Sequence, residues 1–86
     1  MKKTRLTVAK EFVKAMQAQF PEIQREMSRT VSPDDHKHIW IRLYAPMDDD
    51  RQEEFSRISA EMEMDILLEY GYRISLFPYQ EEMEFA

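Results

Sequence analysis

The sequence predicts a small α+β domain in the order α-β-β-α-β. It is read as a two-layer sandwich, with a three-stranded mixed sheet carrying both helices on one face. Three observations lead there. Two stretches repeat apolar residues at helical spacing. Two short runs, His38–Ala45 and Tyr72–Tyr79, are β-branched and aromatic and close on prolines. The chain's one glycine, Gly71, separates the second helical stretch from the last run, where a left-handed residue ends a helix without a Cβ penalty.

The first helix is expected from about Thr7 to Phe20. Ala9, Phe12, Val13, Met16 and Phe20 form its apolar stripe, Thr7 reads as its N-cap, and Pro21 redirects the chain. Glu22–Val31 supports two readings. Ile23, Met27 and Val31 fit a helix at four-residue spacing. Ile23, Arg25, Met27, Arg29 and Val31 also alternate with polar neighbours as a strand would. A strand is favoured, because Ser32-Pro33-Asp34-Asp35 is a strong turn and a hairpin uses the chain economically. In the strand His38–Ala45, Ile39, Ile41 and Leu43 share one face, and Trp40, Arg42 and Tyr44 share the other.

Met47–Tyr70 is the second helix. Asp48, Asp49 and Asp50 crowd its N-terminus, where carboxylates cap free amides and meet the positive end of the dipole. Asp50 with Glu53 makes a capping-box variant. Phe55, Ile58, Met62, Ile66 and Tyr70 form the core stripe. In the last strand Tyr72, Ile74 and Leu76 oppose Arg73, Ser75 and Phe77. The last two strands, joined by a helix, should be parallel with a right-handed crossover. Residues 80–86 form an acidic tail expected to fray.

The bulk numbers bound the function. The chain has 86 residues, which fits one domain with a limited core. Hydrophobic residues make up 43% and charged residues 34%, a balance that suits a folded chain. Seventeen acidic against 12 basic side chains give a net charge of −5, which speaks against nucleic acid as a partner. With no cysteine, disulfides, thiolate metal sites and cysteine nucleophiles are excluded. No signal peptide or membrane span is visible, so a cytoplasmic location is the default expectation.

Two apolar patches exceed what a core needs. Ala60, Met64, Leu67 and Leu68 fall away from the core stripe of the second helix. They are either covered by the first helix or the tail, or they form a subunit interface. Trp40, Arg42, Tyr44, Arg73 and Phe77 occupy the open face of the sheet. Such a face suits aromatic cross-strand pairing, a protein interface or stacked bases.

Chemistry-bearing residues are sparse. His36 and His38 form a His-x-His pair beside Asp34 and Asp35, but no third histidine completes a metal site. Asp48, Asp49 and Asp50 could hold magnesium, yet capping accounts for them and no glycine loop is present to cradle a phosphate. Ser32, Ser56, Ser59 and Ser75 lack a nucleophile motif. Seven methionines point to adaptable packing. No catalytic residue, metal or cofactor is assigned.

The phrase Glu69-Tyr70-Gly71-Tyr72-Arg73-Ile74-Ser75-Leu76-Phe77-Pro78 carries a resemblance. With the preceding strand, acidic loop and helix, the segment Ile39–Glu82 resembles the distal half of small nucleotidyltransferase-fold domains of the minimal, antitoxin-like type. The resemblance implies a shared scaffold. The family's chemistry uses a Gly-Ser turn followed by an Asp-x-Asp pair that binds magnesium and nucleotide, and a chain whose one glycine is Gly71 cannot supply that turn.

The sequence therefore leads to a non-enzymatic interaction domain that contacts protein, foremost a second copy of itself. Trp40, Arg42, Tyr44, Arg73 and Phe77 are the first interface candidates, and Met64, Leu67 and Leu68 the second. A divergent nucleotide- and magnesium-binding protein is the alternative, and single-strand nucleic-acid binding through the sheet face a second.

Overall fold

Local end signals set the helices. The computed structural model describes residues 3–32 and 38–81. Helix α1 spans Arg5–Gln19. Its N-cap is Thr4 rather than Thr7: Thr4 is extended, and its hydroxyl accepts the Thr7 backbone N–H at 3.2 Å. The capping oxygen must lie three residues ahead of the amide it satisfies, and Thr4 is the residue so placed. Phe20 closes the helix, with its N–H on the Met16 carbonyl at 2.7 Å.

Helix α2 spans Asp49–Tyr70, and its cap is Asp48, whose Oδ1 accepts the Arg51 N–H at 2.9 Å. This replaces the expected Asp50–Glu53 box. With Asp48 as cap, the third helical position is Arg51, which has no carboxyl to return the bond. Asp49 and Asp50 lie in the first turn, beside the positive end of the dipole. At the other end Gly71 takes φ +75° and ψ 15°, and its N–H bonds the Leu67 carbonyl at 2.9 Å.

The strands are β1 (Arg25–Val31), β2 (His38–Tyr44) and β3 (Arg73–Tyr79), in spatial order β1-β2-β3. The stretch with two readings is thus a strand. β1 pairs with β2 antiparallel, and β2 with β3 parallel across the helical crossover. The element order, the mixed sheet and the α+β class all match the sequence reading. Residues 33–37, which include the expected turn and His36, lie outside the described residues.

One detail of β1 differs from simple alternation. The register shifts between Glu26 and Ser28, so Met27 is an extra residue. Arg25 pairs with Tyr44, whereas Arg29 and Val31 pair with Ile41 and Ile39. The bulge thereby puts Arg25 and Arg29 on opposite faces. It also brings Glu26 and Arg29 to the same face, where Arg29 bonds both carboxylate oxygens at 2.9 and 3.1 Å.

One core joins the layers. Val8, Ala9, Phe12 and Met16 of α1 and Phe55 of α2 are buried with Ile39, Ile41, Leu43, Ile74 and Leu76. Phe20 and Ile23 extend this core beyond α1. The helices meet where Phe20 and Phe55 pack edge to face at 5.2 Å. Arg51 covers the Phe20 ring at 4.4 Å, donates to the Gln19 carbonyl, and forms a two-pronged pair with Glu22 at 2.6 and 3.0 Å.

The charge-assisted bonds from Arg51 hold the Glu22 carboxyl down at about 2, against an ordinary 4.5. Between those values the unfolded chain binds the extra proton, so stability rises with pH there. The contribution of the pair is whole above 4.5 and is lost as pH falls toward about 2. In chemical denaturation across that range, Glu22→Gln should flatten the acid limb. Parallel limbs for the two proteins would refute the assignment.

The start of the C-terminal segment is tied down. Gln80 accepts from the Met47 N–H at 2.8 Å and donates to the Ala45 carbonyl at 3.4 Å.

Candidate functional site: the open sheet face and the flank of α2

Alternation along β2 and β3 builds the site. With Ile39, Ile41, Leu43, Ile74 and Leu76 turned to the core, the intervening residues face the other way. Register then sets the neighbours. His38 stands beside Arg73, Trp40 between Thr30 and Ser75, Arg42 between Ser28 and Phe77, and Tyr44 between Arg25 and Tyr79. The five sheet residues named from the sequence are therefore together on one face. Trp40 lies edge-on to Phe77 at 6.2 Å and to the His38 ring at 5.2 Å. Arg42 reaches across to β1, donating to Ser28 Oγ at 3.4 Å and Thr30 Oγ1 at 3.3 Å. That contact gives Arg42 a sheet-bracing role in addition to any surface role.

The second patch is also uncovered. Met64 is 53% and Leu68 77% exposed, beside 38% for Trp40 and 41% for Phe77. Leu67 is half-buried. Met64 and Leu68 are four residues apart on α2 and so lie one above the other on the same flank.

The structure joins these patches. Ser75 points away from the core, yet its hydroxyl donates to Glu63 Oε1 of α2 at 3.1 Å. The helix thus overlies the β3 edge closely enough for Glu63 to reach around it. Between them lies a cleft of about 280 Å³, lined on the helix side by Ala60, Glu63, Met64 and Leu67 and on the sheet side by His38, Arg73, Ile74 and Ser75. Trp40 is the register partner of Ser75, so the aromatic face begins one strand away from this cleft.

Three polar groups cross the junction. His38 Nε2 is 2.9 Å from Ser75 Oγ. In the tautomer carrying hydrogen on Nε2, the imidazole donates to Ser75, which donates in turn to Glu63. Burial pushes the Glu63 carboxyl up, and the Ser75 hydrogen bond partly opposes the shift. A nucleophilic serine hands its proton to the imidazole. Here the serine proton is directed to the carboxylate, so the chain clasps β2, β3 and α2 together.

This cluster is not legible in the sequence. There His38 reads as a metal-ligand candidate beside His36, which lies outside the described residues, Ser75 as a serine without a nucleophile motif on the face opposite Ile74, and Glu63 as one of many acidic residues on α2. Its sequence signal is slight: one carboxylate between Ala60, Met64 and Leu67 on the flank that the core stripe leaves over. Among the described residues, no three His, Cys, Asp or Glu side chains are grouped to hold a metal ion. Asp48 caps α2. Among them too, no helix is long and apolar enough to cross a membrane.

No family model, curated protein or solved structure matches this chain.

Proposed function

We propose that this chain is a small non-enzymatic interaction domain that self-associates through the open sheet face and the adjoining flank of α2. The observation that carries the reading is the exposure of Trp40 and Phe77 on the sheet face and of Met64 and Leu68 on the α2 flank, with Met64 also lining the cleft between helix and sheet. Chains that act alone seldom leave apolar groups gathered in this way, because their hydration is unfavourable.

Charge supports a second copy as the occupant. Helix α2 carries eight carboxylates and two arginines, whereas the sheet face carries Arg25, Arg42 and Arg73. A two-fold arrangement sets the sheet face of each copy against the acidic α2 flank of the other, a self-complementary contact. Trp40 is the expected anchor, since aromatic residues dominate binding energy at such contacts.

Sedimentation velocity over a concentration series is the direct test. The expected result is a concentration-dependent dimer. Trp40→Ala and Leu68→Glu should each weaken it by about tenfold or more, the range of an interface anchor. Both positions are exposed, so far-UV circular dichroism should be unchanged. A monomer at every concentration, unaffected by either substitution, would overturn the proposal.

A further inference from the structure

The cleft between α2 and the β3 edge combines a long apolar wall with one partly desolvated carboxyl. Ala60, Met64 and Leu67 supply the wall from α2, and Ile74 supplies it from β3. Glu63 is the carboxylate among the lining residues. Its Oε1 accepts from Ser75, and among the described residues no cationic side chain lies within ion-pair distance of it. At about 280 Å³ the space suits a small molecule rather than a peptide segment.

We infer that this cleft binds a small aliphatic ammonium ion, its charged end on Glu63 and its hydrocarbon chain against Ala60, Met64 and Leu67. A carboxylate withdrawn from water without a counter-charge gains most from an arriving cation, because burial has already removed part of its hydration. The direction in which burial moves the Glu63 proton affinity agrees with that picture. The ammonium group donates three hydrogen bonds, one of which Glu63 Oε2 can accept while Ser75 keeps Oε1. The surrounding field has the right sign, since Glu61, Asp65 and Glu69 lie on the same helix. Arg73, on the opposite rim, favours the reverse charge, so the two signs make opposite predictions.

Three probes of equal chain length separate them: hexylammonium, 1-hexanol and hexanoate. Each is titrated into the whole protein at neutral pH and fixed ionic strength, with amide ¹H–¹⁵N correlation spectra as the readout. Hexylammonium should give saturable shifts centred on Ala60, Glu63, Met64, Leu67 and Ser75. Hexanol should bind about tenfold more weakly, the loss of one charge-assisted hydrogen bond. Glu63→Gln should reduce hexylammonium to the level of hexanol. The ranking of the probes on the unaltered protein stands without that variant. No saturable shift, equal binding of all three probes, or tighter binding of hexanoate would each overturn the inference.

The ammonium group could come from a free amine or from a lysine of a second copy, and sedimentation with saturating hexylammonium distinguishes the two. Release of the dimer identifies the lysine, and an unchanged distribution identifies the free amine. The probe titration does not depend on self-association, so the two proposals can fail separately.

Discussion

Replacing Phe55 by alanine should lower stability by about 3–5 kcal/mol, the range for deleting a buried aromatic ring. Phe55 is 1% exposed and sits where α1 runs into α2. Its ring holds Phe20 edge to face, while Arg51 covers Phe20 from another side. Removing the ring leaves a void under Phe20, and the stacked arginine loses its rigid support. A small domain has about 5–15 kcal/mol in total, so the variant should be largely unfolded at modest denaturant concentration. Leu68→Ala serves as the control. Leu68 is 77% exposed, and its loss should change stability by no more than about 0.5 kcal/mol. Guanidinium denaturation of the three proteins, at a concentration where each is monomeric and association adds nothing to stability, decides the matter. A Phe55→Ala loss no larger than that of Leu68→Ala would mean that the helix junction is packed differently.

Gly71→Ala should cost about 1–2 kcal/mol, the penalty for an L-residue with a side chain in left-handed backbone. Gly71 is held at φ +75°. A Cβ built there meets no atom within 4 Å, so steric crowding adds nothing and the backbone term stands alone. Asparagine tolerates this conformation better, so Gly71→Asn should be the milder variant. The turn also sets the start of β3, and with it the meeting of Ser75 and Glu63. If its backbone relaxes in Gly71→Ala, the Ser75 amide resonance should move. Thermal unfolding reads the stability. Alanine would otherwise be favoured for restricting the unfolded chain, so a raised midpoint would refute the left-handed assignment.

Much of the architecture was legible because its signals are local. The stripe Ala9, Phe12, Met16 and Phe20 marks a helix by its period, and Ile39, Ile41 and Leu43 mark a buried strand face by theirs. The caps were legible only to within a few residues. Threonines at positions 4 and 7 are equally good donors of a capping oxygen, and three consecutive aspartates offer three starts for α2. Backbone geometry chooses among them. In β1, Ile23, Met27 and Val31 lie four apart, a spacing that fits a helix and a strand alike, and the bulge at Met27 leaves no mark in that pattern.

The candidate site was legible in halves. Trp40, Arg42, Tyr44, Arg73 and Phe77 could be grouped because strand alternation and parallel pairing suffice to place them. Met64, Leu67 and Leu68 could be grouped by helical angle alone. Their union could not be read, since it depends on how far α2 overhangs the β3 edge.

The sequence by itself determined both helices, the last two strands with the composition of each of their faces, and the stop at Gly71. Period, proline and glycine act over a few residues, and their effects survive in any packing. The tertiary structure alone decided that Ser75 links Glu63 to His38, that Met64 and Leu67 share a cleft with Arg73, and that Arg51 links Glu22 to Phe20. Those contacts join residues far apart in the chain. They follow from the seating of α2, which Phe12, Phe20 and Phe55 set jointly by filling one core, and shared volume leaves no mark on any single stretch of sequence.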